Sequence, residues 1–215
     1  MSNIITPPAV LSYPIFTPEQ LATAKERARR SGSFDPADVH FGCTLLFPKG
    51  TDLSELKKAA TAALYERFGE ETETMFANGQ LRTPFKKVKG SKYDADKYDD
   101  YLVVSAKQSA PGFVNRYAGP DGKPEALTDM DKLYPGCLVK AALSIYAYPK
   151  KGEKGFGNRG VNFGLQHIQW WADGTRLDNR VEASNAFSAE ERPTADMSGG
   201  GAKAPGKNLA DLLGE

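Results

Sequence analysis

The segment Tyr134–Trp171, YPGCLVKAALSIYAYPKKGEKGFGNRGVNFGLQHIQWW, limits the possible folds more than any other part of the chain. Side chains of a strand point alternately to its two faces. Here Cys137, Val139, Ala141, Leu143, Ile145 and Ala147 make one face wholly apolar, while the other carries Leu138, Lys140, Ala142, Ser144, Tyr146 and Tyr148. An unbroken apolar face needs a core to lie against, so the pattern predicts a long strand with a core side and a working side. Pro149 ends the run, and KKGEKGFGNRG follows, with three lysines and an arginine against one glutamate, loosened by four glycines. That composition predicts a cationic hairpin tip. Val161, Phe163 and Leu165 then alternate with Asn162, Gly164 and Gln166, before a mixed end at His167 to Trp171, which predicts the returning strand.

Aromatic rings beside cations suit single-stranded nucleic acid. Bases stack on the rings, at roughly 1–3 kcal/mol each, and lysine or arginine meets the phosphates. The same residues also fit an edge hairpin whose tyrosines cap the core and whose lysines discourage strand-to-strand aggregation. Alternation alone does not separate the two readings.

At 215 residues the length favours one domain with a tail. The formal net charge is only +1, which excludes a histone-like polycation, so any nucleic-acid site must come from local segregation of charge. After Phe187 the acids Glu190, Glu191, Asp196, Asp211 and Glu215 outweigh Arg192, Lys203 and Lys207, leaving the body more basic than the whole chain. We therefore expect a folded domain over residues 1–187. Residues 188–215 are expected to form a flexible Gly/Ala-rich linker, centred on MSGGGAKAPGK, and a weakly acidic end, NLADLLGE, which reads as a peptide offered to a partner or as a frayed terminus. Cys43 and Cys137 sit within apolar strand patterns and are expected to be buried, reduced thiols. No apolar run approaches the roughly 20 residues of a membrane span, and MSNIITPPAV lacks the features of a signal peptide. A cytoplasmic location is expected, without a membrane role.

Elsewhere, AVLSYPIF predicts a first strand with a bulge or edge position at Pro14. PEQLATAKERARR predicts a helical stretch inside an insertion over Thr17–Pro36, and its Lys25, Arg27, Arg29 and Arg30 suit phosphate contact or a solvated face. In the second strand Val39, Phe41, Cys43, Leu45 and Phe47 alternate with His40, Gly42, Thr44 and Leu46. A helix follows, capped by Thr51 or Asp52, with Glu55 three residues after Asp52 as in a capping box, an apolar stripe through Leu53, Leu56, Ala60, Ala63 or Leu64, and Phe68, and a stop at Gly69. Lys86, Lys87, Lys89 and Lys92 make a second basic patch around Phe85. YLVVSAKQ predicts a third strand with Tyr101, Val103, Ser105 and Lys107 on one side, and GFVNRYAGPDGKP a short strand carrying Phe113, Arg116 and Tyr117.

Five or more strands, a helix between the second and third, and a final long hairpin predict a mainly β chain of OB type, a five-stranded barrel whose sheet face binds single strands. SYP near the start, FGCTLLFPKG followed by a helix, YLVVSAKQSAPGFV, and LYPGCLVKAALSIYAY followed by GVNFGLQHIQWW resemble a phage-encoded family of single-stranded DNA-binding proteins with an OB fold, related to those of the T-odd phages. The resemblance covers most of Leu11–Trp171. It implies non-sequence-specific binding and protection of transient single strands in phage DNA replication and recombination, without catalysis or cofactor, in the host cell cytoplasm. Phage relatives often carry a strongly acidic C-terminal tail that recruits polymerase or helicase, whereas this tail is only weakly acidic and retains Lys203 and Lys207.

The expected site centres on Lys140, Tyr146, Tyr148, Lys150, Lys151, Lys154, Arg159 and Asn162. Lys86, Lys87, Lys89, Tyr101, Lys107 and Arg116 flank it. Two other classes compete. A metal-dependent nuclease would use Asp94, Asp96, Asp99 and Asp100. A phage structural or interaction module would use the tyrosines as a protein interface. Two histidines, the absence of metal-spaced cysteines and the lack of a phosphate loop or nucleophile motif offer an enzyme little else.

Overall fold

The computed structural model describes residues 3–32, 35–88, 102–108, 111–149 and 159–177. The longest strands are β9 (Leu138–Tyr148) and β10 (Arg159–Ala172), which run antiparallel along their whole length, as the alternation requires. Around them lie β1 (Ile4–Ile5), β2 (Ala9–Ile15), β3 (Phe41–Phe47), β4 (Leu81–Arg82), β5 (Phe85–Lys87), β6 (Leu102–Gln108), β7 (Gly112–Ala118) and β8 (Pro124–Ala126). The helices are α1 (Pro18–Ser31), α2 (Ser54–Phe68) and α3 (Glu71–Ala77). The chain is thus mainly β with one large sheet.

The pairings β2–β3, β3–β6, β6–β10, β10–β9 and β9–β2 close a ring of five strands around the core. β1 extends β2 along the same edge of β9. The other edge of β10 is taken in turn by β4, β6 and β7, all parallel to it. Inside the ring stand Leu11, Leu45, Phe47, Val104, Val139, Leu143, Val161, Phe163, Leu165 and Ile168, all less than 3 % exposed. Burying each such side chain contributes about 1.5–3 kcal/mol, which outweighs any single turn or cap. The predicted core side of β9 is observed: Cys137, Val139, Ala141 and Leu143 are buried, and Ile145 and Ala147 pack against them.

α2 lays Leu56, Ala60 and Leu64 against this core and contacts both β9 and β10. It ends at Gly69, whose φ of 59° favours a residue without Cβ. The Arg67 Nε donates to the Pro149 carbonyl at 2.7 Å, tying the end of α2 to the end of β9. One expectation is corrected and another is met. The capping box at Asp52 and Glu55 does not form; Asp52 accepts instead from the Ser54 N–H at 2.9 Å, and the helix begins without a side-chain cap on its first turn. A complete box stands on α1, where Thr17 and Gln20 bond reciprocally. Leu46, on the same side of its strand as Thr44, is fully buried, because Val88, Val10 and Leu177 cover it. The bulge expected at Pro14 is present, as a register shift between Ser12 and Ile15.

Cys43 and Cys137 are free and buried. Burial pushes the Cys137 thiol up to about 12 and raises that of Cys43 further, so both stay protonated in the folded chain at neutral pH. Among the described residues no helix is long and apolar enough to cross a membrane. The C-terminal segment 188–215 and the acidic stretch holding Asp94, Asp96, Asp99 and Asp100 lie outside the described residues.

Candidate nucleic-acid interface

The face of β9 and β10 turned away from the core carries two groups of rings and cations. Near the hairpin end, Tyr146 stands opposite Asn162 and Tyr148 opposite Gly160. Tyr146 is 39 % exposed, and Asn162 is exposed beside it. Gly160 also pairs with Arg82 of β4. A Cβ on Gly160 would run into the Arg82 carbonyl, so glycine is what lets β4 approach this closely. The result is a row Arg82–Gly160–Tyr148 with the guanidinium on the same edge as the two tyrosines. Burial pushes the Tyr148 phenol up; the Arg82 charge opposes that shift and Tyr146 adds to it. Tyr148 therefore remains a neutral ring at physiological pH, which a stacking surface next to phosphates needs.

At the opposite end of the two strands, register shifts at Leu165/His167 and Trp170/Ala172 place Trp170 against the core and Trp171 on the outer face. Lys140 Nζ lies 3.7 Å from the centroid of the Trp171 ring. Arg116 of β7 brings its Cζ to 4.3 Å from the same centroid, and its Nη1 donates to the Trp171 carbonyl at 3.4 Å. Each exposed cation–π contact contributes about 0.5–1 kcal/mol. A base stack contributes roughly 1–3 kcal/mol. A base that takes one cation's place on the ring, while that cation turns to a phosphate, is thus a net gain.

Between the two groups the face is polar and small. Lys107 of β6 pairs in register with Gly164, and Gly164 with Ser144, so no bulky side chain interrupts the row from β6 to β9. Gln166 Nε2 donates to Ser144 Oγ at 3.0 Å, and Ser144 Oγ donates to the Gly164 carbonyl at 3.3 Å. Six residues separate Lys140 from Tyr146, about 20 Å at the rise of a strand. Among the described residues none of Lys86, Arg82, Lys107, Arg116 and Lys140 has a carboxylate within salt-bridge distance. On α1, by contrast, Arg29 and Arg30 are both engaged by Glu26, at 3.5 and 3.0 Å, the arrangement of a solvated helix face.

The structure thus gathers Lys140, Tyr146, Tyr148, Asn162, Lys107 and Arg116 on the outer surface of neighbouring strands. Lys86 lies on β5, alongside the start of β6. Arg159 does not join them: it shares the core-side parity of Val161 and Phe163, and its Nη1 lies 3.7 Å from the Met75 Sδ of α3. Lys89, Tyr101, Lys150, Lys151 and Lys154, and the side chain of Lys87, lie outside the described residues. Sequence reasoning missed Arg82 and Trp171. The sequence signal for Arg82 is Gly160, which marks a close backbone approach, whereas Trp171 is concealed by the bulges that break the two-residue period.

Known proteins share this architecture. No match to a curated protein is found. Among solved structures, the chain is similar to the single-stranded DNA-binding protein from bacteriophage Enc34, with a TM-score of 0.50 and 18 % identity over 87 % of this chain and 90 % of that one. It is also similar to the same phage protein in complex with ssDNA (TM-score 0.48, 18 % identity, 82 % and 89 % covered). A third likeness is to gp2.5, a single-stranded DNA binding protein encoded by bacteriophage T7 (TM-score 0.49, 14 % identity, 85 % and 98 % covered). The family model described as Enterobacter phage Enc34, ssDNA-binding protein, matches residues 25–198, starting inside α1 and running past the end of β10. Over that span the chain belongs to the Enc34 ssDNA-binding protein family.

Proposed function

We propose that this protein binds single-stranded DNA without sequence specificity and shields it during DNA replication and recombination in a phage-infected cell. The observation that carries the reading is the outer face of β9, β10 and the strands paired with β10, which gathers Tyr146, Tyr148 and Trp171 with Arg82, Lys107, Arg116 and Lys140, cations that have no carboxylate partner among the described residues. Bases stack on the rings, the cations hold phosphates, and Asn162 adds a polar contact beside Tyr146. Family membership supports the same ligand. Binding, with no cofactor and no chemical step, is the whole activity.

The cycle of five paired strands capped by α2 supports reading residues 1–187 as an OB-type domain. On that reading Lys150, Lys151 and Lys154 in the β9–β10 connection extend the phosphate track beyond Tyr148. Lys86, Lys87, Lys89 and Tyr101 widen it on the β5–β6 side. Residues 188–215, with Leu209, Leu212 and Leu213 beside Asp211 and Glu215, offer a peptide to replication or recombination proteins.

The test is a fluorescence-anisotropy titration of the full chain against labelled oligo-dT and a matched duplex, at two salt concentrations with EDTA present. We expect salt-sensitive preference for the single strand and no loss of substrate. Equal binding to duplex, or none to either, overturns the proposal. Charge reversal at Lys150 and Lys151 should also flatten the salt dependence, by about 0.7 in log–log slope for each phosphate that is no longer neutralised.

A further inference from the structure

Between the two ring groups lies a depression of about 360 Å³, and its construction is specific. One cross-strand row runs Ile5–Ala142–His167–Gly112, and the next runs Lys140–Gln169–Val114. Ala142 in the first row leaves room that a larger residue would fill, Gly112 lets the His167 imidazole lie close over its backbone, and Ile5, Ala142 and Val114 give the depression an apolar lining. Ile5, 62 % exposed, has nothing described packed over its outer side. The polar groups lie along β9 and β10: the Lys140 ammonium, the Gln169 amide and the His167 imidazole. Gln169 is oriented, because its Nε2 donates to the Asn115 carbonyl at 3.3 Å, and a carbonyl can only be met by the amide's nitrogen. Its Oε1 is then the acceptor left for a ligand, next to a lysine that can only donate.

We infer that this depression is a pocket for one nucleobase of the bound strand, a subsite separate from the stacking rings; the inference rests on the single-stranded DNA reading above. A flat apolar lining with one oriented acceptor and one donor matches the edge of a base, since every base presents at least one N–H donor next to an acceptor. All four bases meet that requirement, so the pocket adds affinity without imposing a sequence. Its place suits a strand running along β9 and β10: Trp171, with Lys140 and Arg116 on its ring, borders one end, and Tyr146 stands four residues along β9 from Ala142. The base would lie between two stacked neighbours, with its phosphates on Lys140 and Arg116.

The test uses the full chain and two oligonucleotides of equal length, oligo-dT and an abasic tetrahydrofuran oligomer that keeps the phosphates and lacks the bases. Ala142→Leu fills the pocket without altering a charge or a ring. We expect it to bind oligo-dT roughly tenfold more weakly than the parent, within the range of a single base stack, and to bind the abasic oligomer as the parent does. Val114→Leu fills the same space from β7 and gives the same comparison if the thermal melt of Ala142→Leu shows loss of folding. Gln169→Leu should weaken oligo-dT binding and spare the abasic oligomer. Folded variants that bind oligo-dT as tightly as the parent overturn the pocket while leaving the single-stranded DNA reading intact. Equal losses on both oligomers also overturn it, because they would mean a disturbed phosphate track. Failure of the parent to bind oligo-dT at all overturns the underlying reading instead.

Discussion

Two concave regions of this molecule differ in what their residues can recognise. The larger, about 430 Å³, lies between α2, α3 and the β4–β5 segment and is lined by Ala60, Leu64, Phe76, Leu81, Phe85 and Val161. Its charged members, Lys57 and Glu73, are of opposite sign, and Glu73 is held by a hydrogen bond from the Tyr65 hydroxyl. The smaller, about 360 Å³, lies on the outer face of β9 and β10 with Lys140 in its wall and Trp171 and Arg116 at its edge. Size would favour the first. A polyanion of stacked rings is recognised by cations and aromatic faces together; the second region sets two cations, Lys140 and Arg116, on the Trp171 ring, whereas the first, for all its rings, has a single cation, Lys57, against one carboxylate, Glu73. Concavity is therefore a weaker guide here than the chemistry around the rim.

The largest difference between the two regions is expected from their rings. Replacing Tyr146 and Trp171 together with alanine should weaken oligo-dT binding by about 2–6 kcal/mol, two base stacks of roughly 1–3 kcal/mol each, with the thermal melt retained. Replacing Tyr65 and Phe76 together should leave affinity unchanged. Anisotropy titration of both double variants decides the matter, and equal losses would erase the distinction between the regions.

A smaller effect is expected from charge. Lys140→Gln should flatten the log–log salt slope by about 0.7 if it holds one phosphate, whereas Lys57→Gln should leave it unchanged. Titrations over a salt series measure both, and a slope that changes only with Lys57 would move the track to the helices. Smaller still is the influence of Arg82 on Tyr148. The guanidinium favours the phenolate, so Arg82→Gln should raise the Tyr148 titration further above the ordinary tyrosine value, and ultraviolet titration of the parent and variant should show the shift. No change would mean that Arg82 does not sit close enough to act with Tyr148.

Much of this surface is legible in the sequence, for one reason. β9 keeps its two-residue period from Val139 to Tyr148, so parity alone separates Val139, Ala141 and Leu143 from Lys140, Ser144 and Tyr146. The same parity runs backward from Phe163 through Val161 to Arg159, and it places Arg159 on the core side; its charge, within a basic loop, conceals that position. Beyond Leu165 the period fails, because each bulge adds a residue to one strand and exchanges the faces of all that follows. Trp170 and Trp171 thus look alike in sequence and end on opposite sides. β4 and its Arg82 pair with β10 across 77 residues, and α3 is seven residues long; neither leaves a periodic local pattern to read.

A bound single strand is expected to lie on the outer face of β9 and β10. Photocrosslinking of the full chain to an oligonucleotide carrying 5-iodouracil, followed by mass spectrometry of the adducted peptides, tests it most directly. We predict adducts on Tyr146, Tyr148 and Trp171, suppressed by unlabelled oligo-dT and by high salt. Adducts concentrated on Tyr65 and Phe76, with the three outer-face rings unmodified, would contradict it.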